Sequence, residues 1–130
     1  MDRKQVVGWI AAYERAWRTP GTKTLAEIFV DGVTYRQGPY RSPVVGLPSL
    51  ARMWEDERNG PAEVFQMTSE IIAVEGNTAV ARVEVRYADP VDQEYRDLWI
   101  IRFAEDGRCA SFEEWPFWPT QPIAARRDES

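Results

Sequence analysis

The chain contains no histidine in its 130 residues. That absence removes Ser-His-Asp, Cys-His and His-Asp chemistry together, and with them the commonest transition-metal ligand. Acid–base work near neutral pH is left to a carboxylate of raised pKa, a tyrosine, a lysine or the thiol. A single cysteine, Cys109, excludes an internal disulfide and a cysteine-rich metal centre. No apolar run approaches the ~18 residues that a membrane span needs, and no secretory leader pattern is present, so a cytoplasmic location is expected. Positive charge is scarce: 16 Lys and Arg against 21 Asp and Glu leave a net charge of -5. A pI near 4.8 argues against nucleic acid or an anionic membrane as partner.

Aromatic residues, by contrast, are plentiful. Six Trp, five Tyr and five Phe suit a wide core or a cavity wall. With 44% apolar and 28% charged residues, the composition is that of an ordinary globular chain, and the length fits one domain over 1–130.

The most informative stretch runs from Asp106 to Pro119. Asp106-Gly107 is a hairpin signal, because glycine takes positive φ without a Cβ clash. The strand after it is expected to stop at the prolines, Pro116 and Pro119. Alternation places Ala110, Phe112 and Glu114 on one face, and Cys109, Ser111, Glu113 and Trp115 on the other. One of the two adjacent glutamates therefore lies on the more buried face, among aromatics. A carboxylate there is a candidate working group.

In chain order, Val6, Trp9, Ile10, Tyr13 and Trp17 recur at helical spacing and predict a first amphipathic helix that Thr19-Pro20-Gly21 ends. Thr24 to Phe29 predicts a short second helix closed by Asp31-Gly32, and Val33 to Gln37 a strand. Pro39 and Pro43 make Tyr40 to Gly46 an irregular loop, and Leu47-Pro48 opens a third helix over Ser49 to Arg58 that Asn59-Gly60-Pro61 terminates. From Glu63 the period becomes two. Strands are predicted over Glu63–Val74, Thr78–Ala88 and Glu94–Ala104, with turns at Glu75-Gly76-Asn77 and Asp89-Pro90-Val91-Asp92. With the strand after Gly107 they form an antiparallel meander; residues 120–130 read as a charged, frayed tail. Alternation puts Ala79, Ala81, Val83, Val85 and Tyr87 inward, and Arg82, Glu84 and Arg86 outward.

Helices packed on one face of a curved sheet make this an α+β chain. In Ile28 to Tyr35, Pro43 to Gly46 and Asp106 to Trp115, and in the order of these pieces, the sequence resembles the nuclear transport factor two-like superfamily, in particular its polyketide-cyclase (SnoaL-like) branch. The resemblance implies a cystatin-like cone, with three N-terminal helices closing a pocket inside the sheet, and often a homodimer through the outer sheet face. There Trp115, Cys109 and Tyr95 would supply apolar area.

The fold hosts enzymes and binding modules alike, so residues must decide. Where ketosteroid isomerases carry their two aspartates, Gln37 and Trp99 stand here, and scytalone dehydratase-like chemistry needs the missing histidine. Limonene epoxide hydrolases are more similar: Tyr35-Arg36-Gln37-Gly38-Pro39 matches their Tyr-x-Asn-x-Pro, Glu114 takes the place of a catalytic aspartate, and Arg82-Val83-Glu84 is similar to their Arg-x-Asp. The resemblance thus implies Glu114 as an acid–base group, with Tyr35 and Gln37 positioning water or a carbonyl. Trp9, Tyr13, Trp54, Trp99 and Phe112 are expected to wall a pocket for a small apolar molecule, without metal or cofactor. The plainer alternatives stay open: Glu114 as a carboxylate at the mouth paired with arginine, Tyr35 and Gln37 as a bonded pair anchoring the proline loop, and the whole as a non-catalytic binding or accessory dimer.

Overall fold

The computed structural model describes residues 1–58, 64–87 and 93–120. The expected Asn59-Gly60-Pro61 stop, the Asp89 to Asp92 connection and the tail beyond 120 lie outside the described residues.

Helix α1 (Arg3–Arg18) starts where the Asp2 side chain accepts from the Gln5 backbone N–H and Gln5 returns the bond, a reciprocal cap that satisfies two otherwise orphaned donors. Its stripe of Val6, Trp9, Ile10 and Tyr13 is buried as the spacing requires. Helix α2 (Leu25–Ile28) is one turn, and strand β1 (Phe29–Arg36) follows without a break. The strand therefore begins four residues before the expected Val33, and Asp31-Gly32 does not end a helix. The reason is a bulge: Phe29 pairs with Cys109 but Thr34 pairs with Ser111, so β1 carries extra residues between the two pairs.

Pro43 does not prevent pairing in the following loop. Strand β2 (Val44–Val45) makes a two-residue antiparallel edge on Thr34 and Tyr35. Gly46, at φ +90°, turns the chain from that edge into helix α3 (Leu47–Glu57), with Pro48 in its first turn. Helix α3 thus comes after two strands, so only α1 and α2 are N-terminal to the sheet. Strands β3 (Phe65–Glu75), β4 (Thr78–Tyr87), β5 (Glu94–Phe103) and β6 (Cys109–Phe117) form the expected meander.

The six strands make one curved, unclosed sheet in the order β2-β1-β6-β5-β4-β3, antiparallel except where β1 runs parallel to β6. Strand β6 continues through Pro116, which pairs with Asp97; the last β1–β6 pair is Arg36 with Glu113, so beyond it the missing proline N–H faces no strand. Ala110 is a second bulge, since Arg102 pairs with Ser111 and Phe103 with Cys109. The bulge turns Cys109 onto the same face as Phe112 and Glu114, against the expected alternation, and it is fully buried there. Cys109 and the half-buried, cavity-lining Tyr95 therefore cannot supply apolar area to the outer face.

Val83 and Val85 point inward, whereas Arg82, Glu84 and Arg86 are exposed on the outer face. Ion pairs Arg82–Glu70, Arg86–Glu94 and Arg96–Glu84 lie there. The segment similar to Arg-x-Asp thus contributes no charge to the interior. Arg3 donates to the Ile71 carbonyl and Arg18 to the Phe65 carbonyl, both at 2.9 Å, tying the two ends of α1 across β3.

Candidate active site

Between α1, α3 and the concave side of the sheet lies a cavity of about 450 Å³. Tyr13, Tyr35, Trp54 and Trp99 line it, as do the polar residues Gln37, Glu57, Asp97 and Glu114. Trp9 and Phe112 do not. Trp9 donates to the Ile28 carbonyl at 2.9 Å, and Phe112 lies behind the wall, stacked on Tyr35 at 4.7 Å and Tyr13 at 5.6 Å between ring centroids. Both are core, and their stacking stiffens the rings that do line the space. Trp99 and Phe112 are buried, so the strand register read from alternation holds through the site.

The hydroxyls of Tyr13 and Tyr35 meet at 2.9 Å. Burial raises both phenol pKa values well above 10.0, with the Glu114 charge the next cause, so both stay neutral hydrogen-bonding groups. Gln37 turns away from Tyr35 to donate through Nε2 to Glu57 at 2.9 Å and to Glu114 at 3.2 Å. The two do not form a bonded pair with one another, and no arginine is bonded to Glu114 among the described residues.

Glu114 pairs with Trp99 across the β5–β6 ladder and so points into the cavity. Protein packs densely around its carboxyl, although the cavity leaves the residue some access to solvent. Burial pushes its pKa well above the carboxylate range, followed by the negative charge of Asp97 and a hydrogen bond to it. Asp97 was not singled out from the sequence. It shares its strand face with Trp99 and Ile101, and that parity was the available signal. It is only 3% exposed. Trp99 Nε1 donates to its Oδ2 at 3.1 Å, while Oδ1 has no partner among the described residues. Its pKa is raised by burial and lowered in part by hydrogen bonds from Glu114 and Trp99. Burial raises both carboxyls, so the pair keeps a proton above the usual carboxylate range.

Such a pair is equipped to give a proton to a bound molecule and to recover one, with neutral tyrosines and an amide to fix orientation. Among the described residues, no three of His, Cys, Asp or Glu cluster as metal ligands. No helix there is long and apolar enough to cross a membrane.

A curved sheet closed by helices over an internal cavity defines the cone of the nuclear transport factor two-like fold. The chain belongs to the SnoaL-like domain family, whose model matches residues 10–112. No curated protein sequence matches it. Solved structures share the fold. One, described as a SnoaL-like polyketide cyclase from Jannaschia sp. CCS1, is 16% identical with a TM-score of 0.71, over 89% of this chain and 90% of that one. A steroid delta-isomerase from Pseudomonas aeruginosa is 18% identical with a TM-score of 0.62, over 92% and 81%. An epoxide hydrolase of M. tuberculosis, described as LEH-like, is 12% identical with a TM-score of 0.60, over 88% and 84%.

Proposed function

We propose that the protein is a cofactor-independent acid–base enzyme acting on a small, mostly hydrophobic molecule, with Glu114 as the proton carrier. The observation that carries this reading is the Glu114 carboxyl facing the cavity while bonded to Asp97 and Gln37. Glu114 gives its proton to an oxygen of the bound molecule as a bond at the neighbouring carbon breaks. In a hydrolysis the pair recovers a proton from the attacking water; in an isomerisation it takes one from carbon and returns it to a second carbon, and Glu114 regains the proton it lent to oxygen. Asp97 acts on this step through its charge, which raises the Glu114 pKa and so favours its acid form. Gln37 holds the Glu114 carboxyl, and the Tyr13–Tyr35 pair offers hydroxyls to the substrate. Isomerase, cyclase and epoxide hydrolase are the activities named for structures of this fold, and proton transfer suits each of them.

Two probes test the reading: styrene oxide for hydrolysis and 3-cyclohexen-1-one for isomerisation. Turnover of either one, lost at least a hundredfold in Glu114→Gln, supports it (~2.7 kcal/mol of barrier). Turnover that survives Glu114→Gln, or binding of both probes with no turnover, favours the ligand-binding or accessory module instead.

A further inference from the structure

The Gln37 amide joins two carboxylates that come from different elements. Its Nε2 donates to Glu57 Oε1 at 2.9 Å and to Glu114 Oε1 at 3.2 Å. A glutamine amide has two hydrogens to give, so both are committed. What it keeps for a bound molecule is the lone pairs of its own Oε1. The reverse orientation would set that oxygen against the Glu57 carboxylate, acceptor against acceptor.

Glu114 does not fix this orientation by itself. In the proposed reaction it alternates between acid and base. The base form only accepts, but the acid form also donates, so it can meet either the Nε2 or the Oε1 end of an amide. Held by Glu114 alone, the amide could flip each time the proton returns. Glu57 is placed differently: it stands where the cavity meets a second cleft, lined by β2 and α3, and it is exposed to solvent. A solvated carboxylate accepts and does not donate, whatever happens at Glu114.

The position of Glu57 in the chain is a second, independent mark. It is the last residue of α3, after Glu55 and Asp56, and the last turn holds no basic residue. Unpaired backbone carbonyls give that end of a helix a partial negative charge, which disfavours acidic side chains there. Glu55 is compensated by its ion pair with Arg58, whereas Glu57 is bonded to the Gln37 amide. A residue that breaks a local rule of helix stability in this way marks a functional position.

We infer that Glu57 is a positioning residue of the site: as a constant acceptor for one Gln37 N–H, it keeps the other on Glu114 throughout turnover and leaves Oε1 to accept from a water or hydroxyl. This rests on the proposed function for the role of Glu114, and it adds a residue that acts through Gln37.

Two variants separate the acceptor from the charge. Glu57→Ala removes both, and Glu57→Gln removes the charge but keeps an acceptor oxygen. On whichever of styrene oxide and 3-cyclohexen-1-one is turned over, Glu57→Ala should lower kcat about tenfold or more and change KM less than about threefold. Glu57→Gln should bring kcat back to within about threefold of wild type. Neither change should lower the melting temperature, since both relieve the acidic helix end. In Gln37→Ala, adding Glu57→Ala should cost nothing further, because the amide it positions is gone. A second readout needs no turnover: the solvent exchange of the two Gln37 Nε2 protons, followed by NMR. One of them should exchange about tenfold faster in Glu57→Ala, and at the wild-type rate in Glu57→Gln. Unchanged exchange or unchanged kcat in Glu57→Ala overturns the inference. So does a kcat loss that Glu57→Gln does not recover, or losses that multiply in the double variant. Turnover of neither probe, or turnover that survives Glu114→Gln, sinks the Glu114 reading, and proton exchange then decides whether Glu57 holds the amide.

Discussion

Asp97 and Glu114 occupy diagonal positions of the β5–β6 ladder: Asp97 pairs with Pro116 and Glu114 with Trp99, two residues along on the same face. Diagonal neighbours on one face lie about 7–8 Å apart at Cα, within reach of an aspartate and a longer glutamate side chain. The methylene by which Glu114 exceeds an aspartate is therefore what lets the two carboxyls meet.

Activity should need the proton on Glu114. Because burial and Asp97 raise its pKa, the acid form persists above the usual carboxylate range. The rate of styrene oxide hydrolysis is expected to hold steady at low pH and to fall tenfold per unit above the raised value. Asp97→Asn should move that descending limb to lower pH, since it removes the neighbouring charge. A limb that stays in place in Asp97→Asn contradicts the shared-proton pair. Glu113→Gln should leave the profile unchanged, because Glu113 pairs with Ile100 on the outer face.

The same pair sets a stability trend. Its carboxyls have folded-state pKa values above the unfolded ones, near ~4, so the folded protein binds protons more tightly there. Their contribution is fully present below the unfolded values and is lost as pH rises through the folded ones. The thermal stability of Asp97→Asn/Glu114→Gln should therefore gain on wild type as pH rises above ~4 through the raised folded-state values. A variant that loses ground to wild type as pH rises would contradict the assignment.

Tyr13 and Tyr35 satisfy one another at 2.9 Å in a buried setting. Tyr35→Phe leaves a buried hydroxyl unpaired and should cost about 1–3 kcal/mol in chemical denaturation. The double change to phenylalanine should cost less than the sum of the single ones, since it removes both partners together. Additive costs would mean that the hydroxyls find other partners.

Cys109 is fully buried, and burial pushes its thiol up to about 12. Its alkylation by iodoacetamide at pH 8 should proceed only as the protein unfolds in denaturant. Prompt labelling of the native protein would contradict the bulge that turns Cys109 inward.

A homodimer through the outer face of the sheet is expected in solution, with Leu98 opposite Trp115 and Ile100 opposite Val80 supplying the apolar area. The mixed charges around them, Arg82, Glu84 and Arg86, suit a self-complementary contact. Light scattering at micromolar concentration should give twice the chain mass for wild type and the chain mass for Leu98→Arg. A monomeric wild type rules the dimer out.

Periodicity alone was enough for the meander, the amphipathic first helix and the shared face of Phe112 and Glu114; the family resemblance chose that face as the inner one. Helical and strand periods repeat over many residues and tolerate an error at either end. The places where the sequence misled are bulges and edges. Nothing local distinguishes Asp31-Gly32 as a turn from Asp31-Gly32 inside a bulged strand. Nor does alternation announce that Ala110 will be skipped and Cys109 turned inward. Both depend on which strand pairs alongside, and the parallel β1–β6 ladder joins residues about 80 positions apart, a choice made by global packing. The partnership of Asp97 with Glu114 is of the same kind. Each carboxylate was visible in the sequence, but only the folded ladder places them close enough to share a proton.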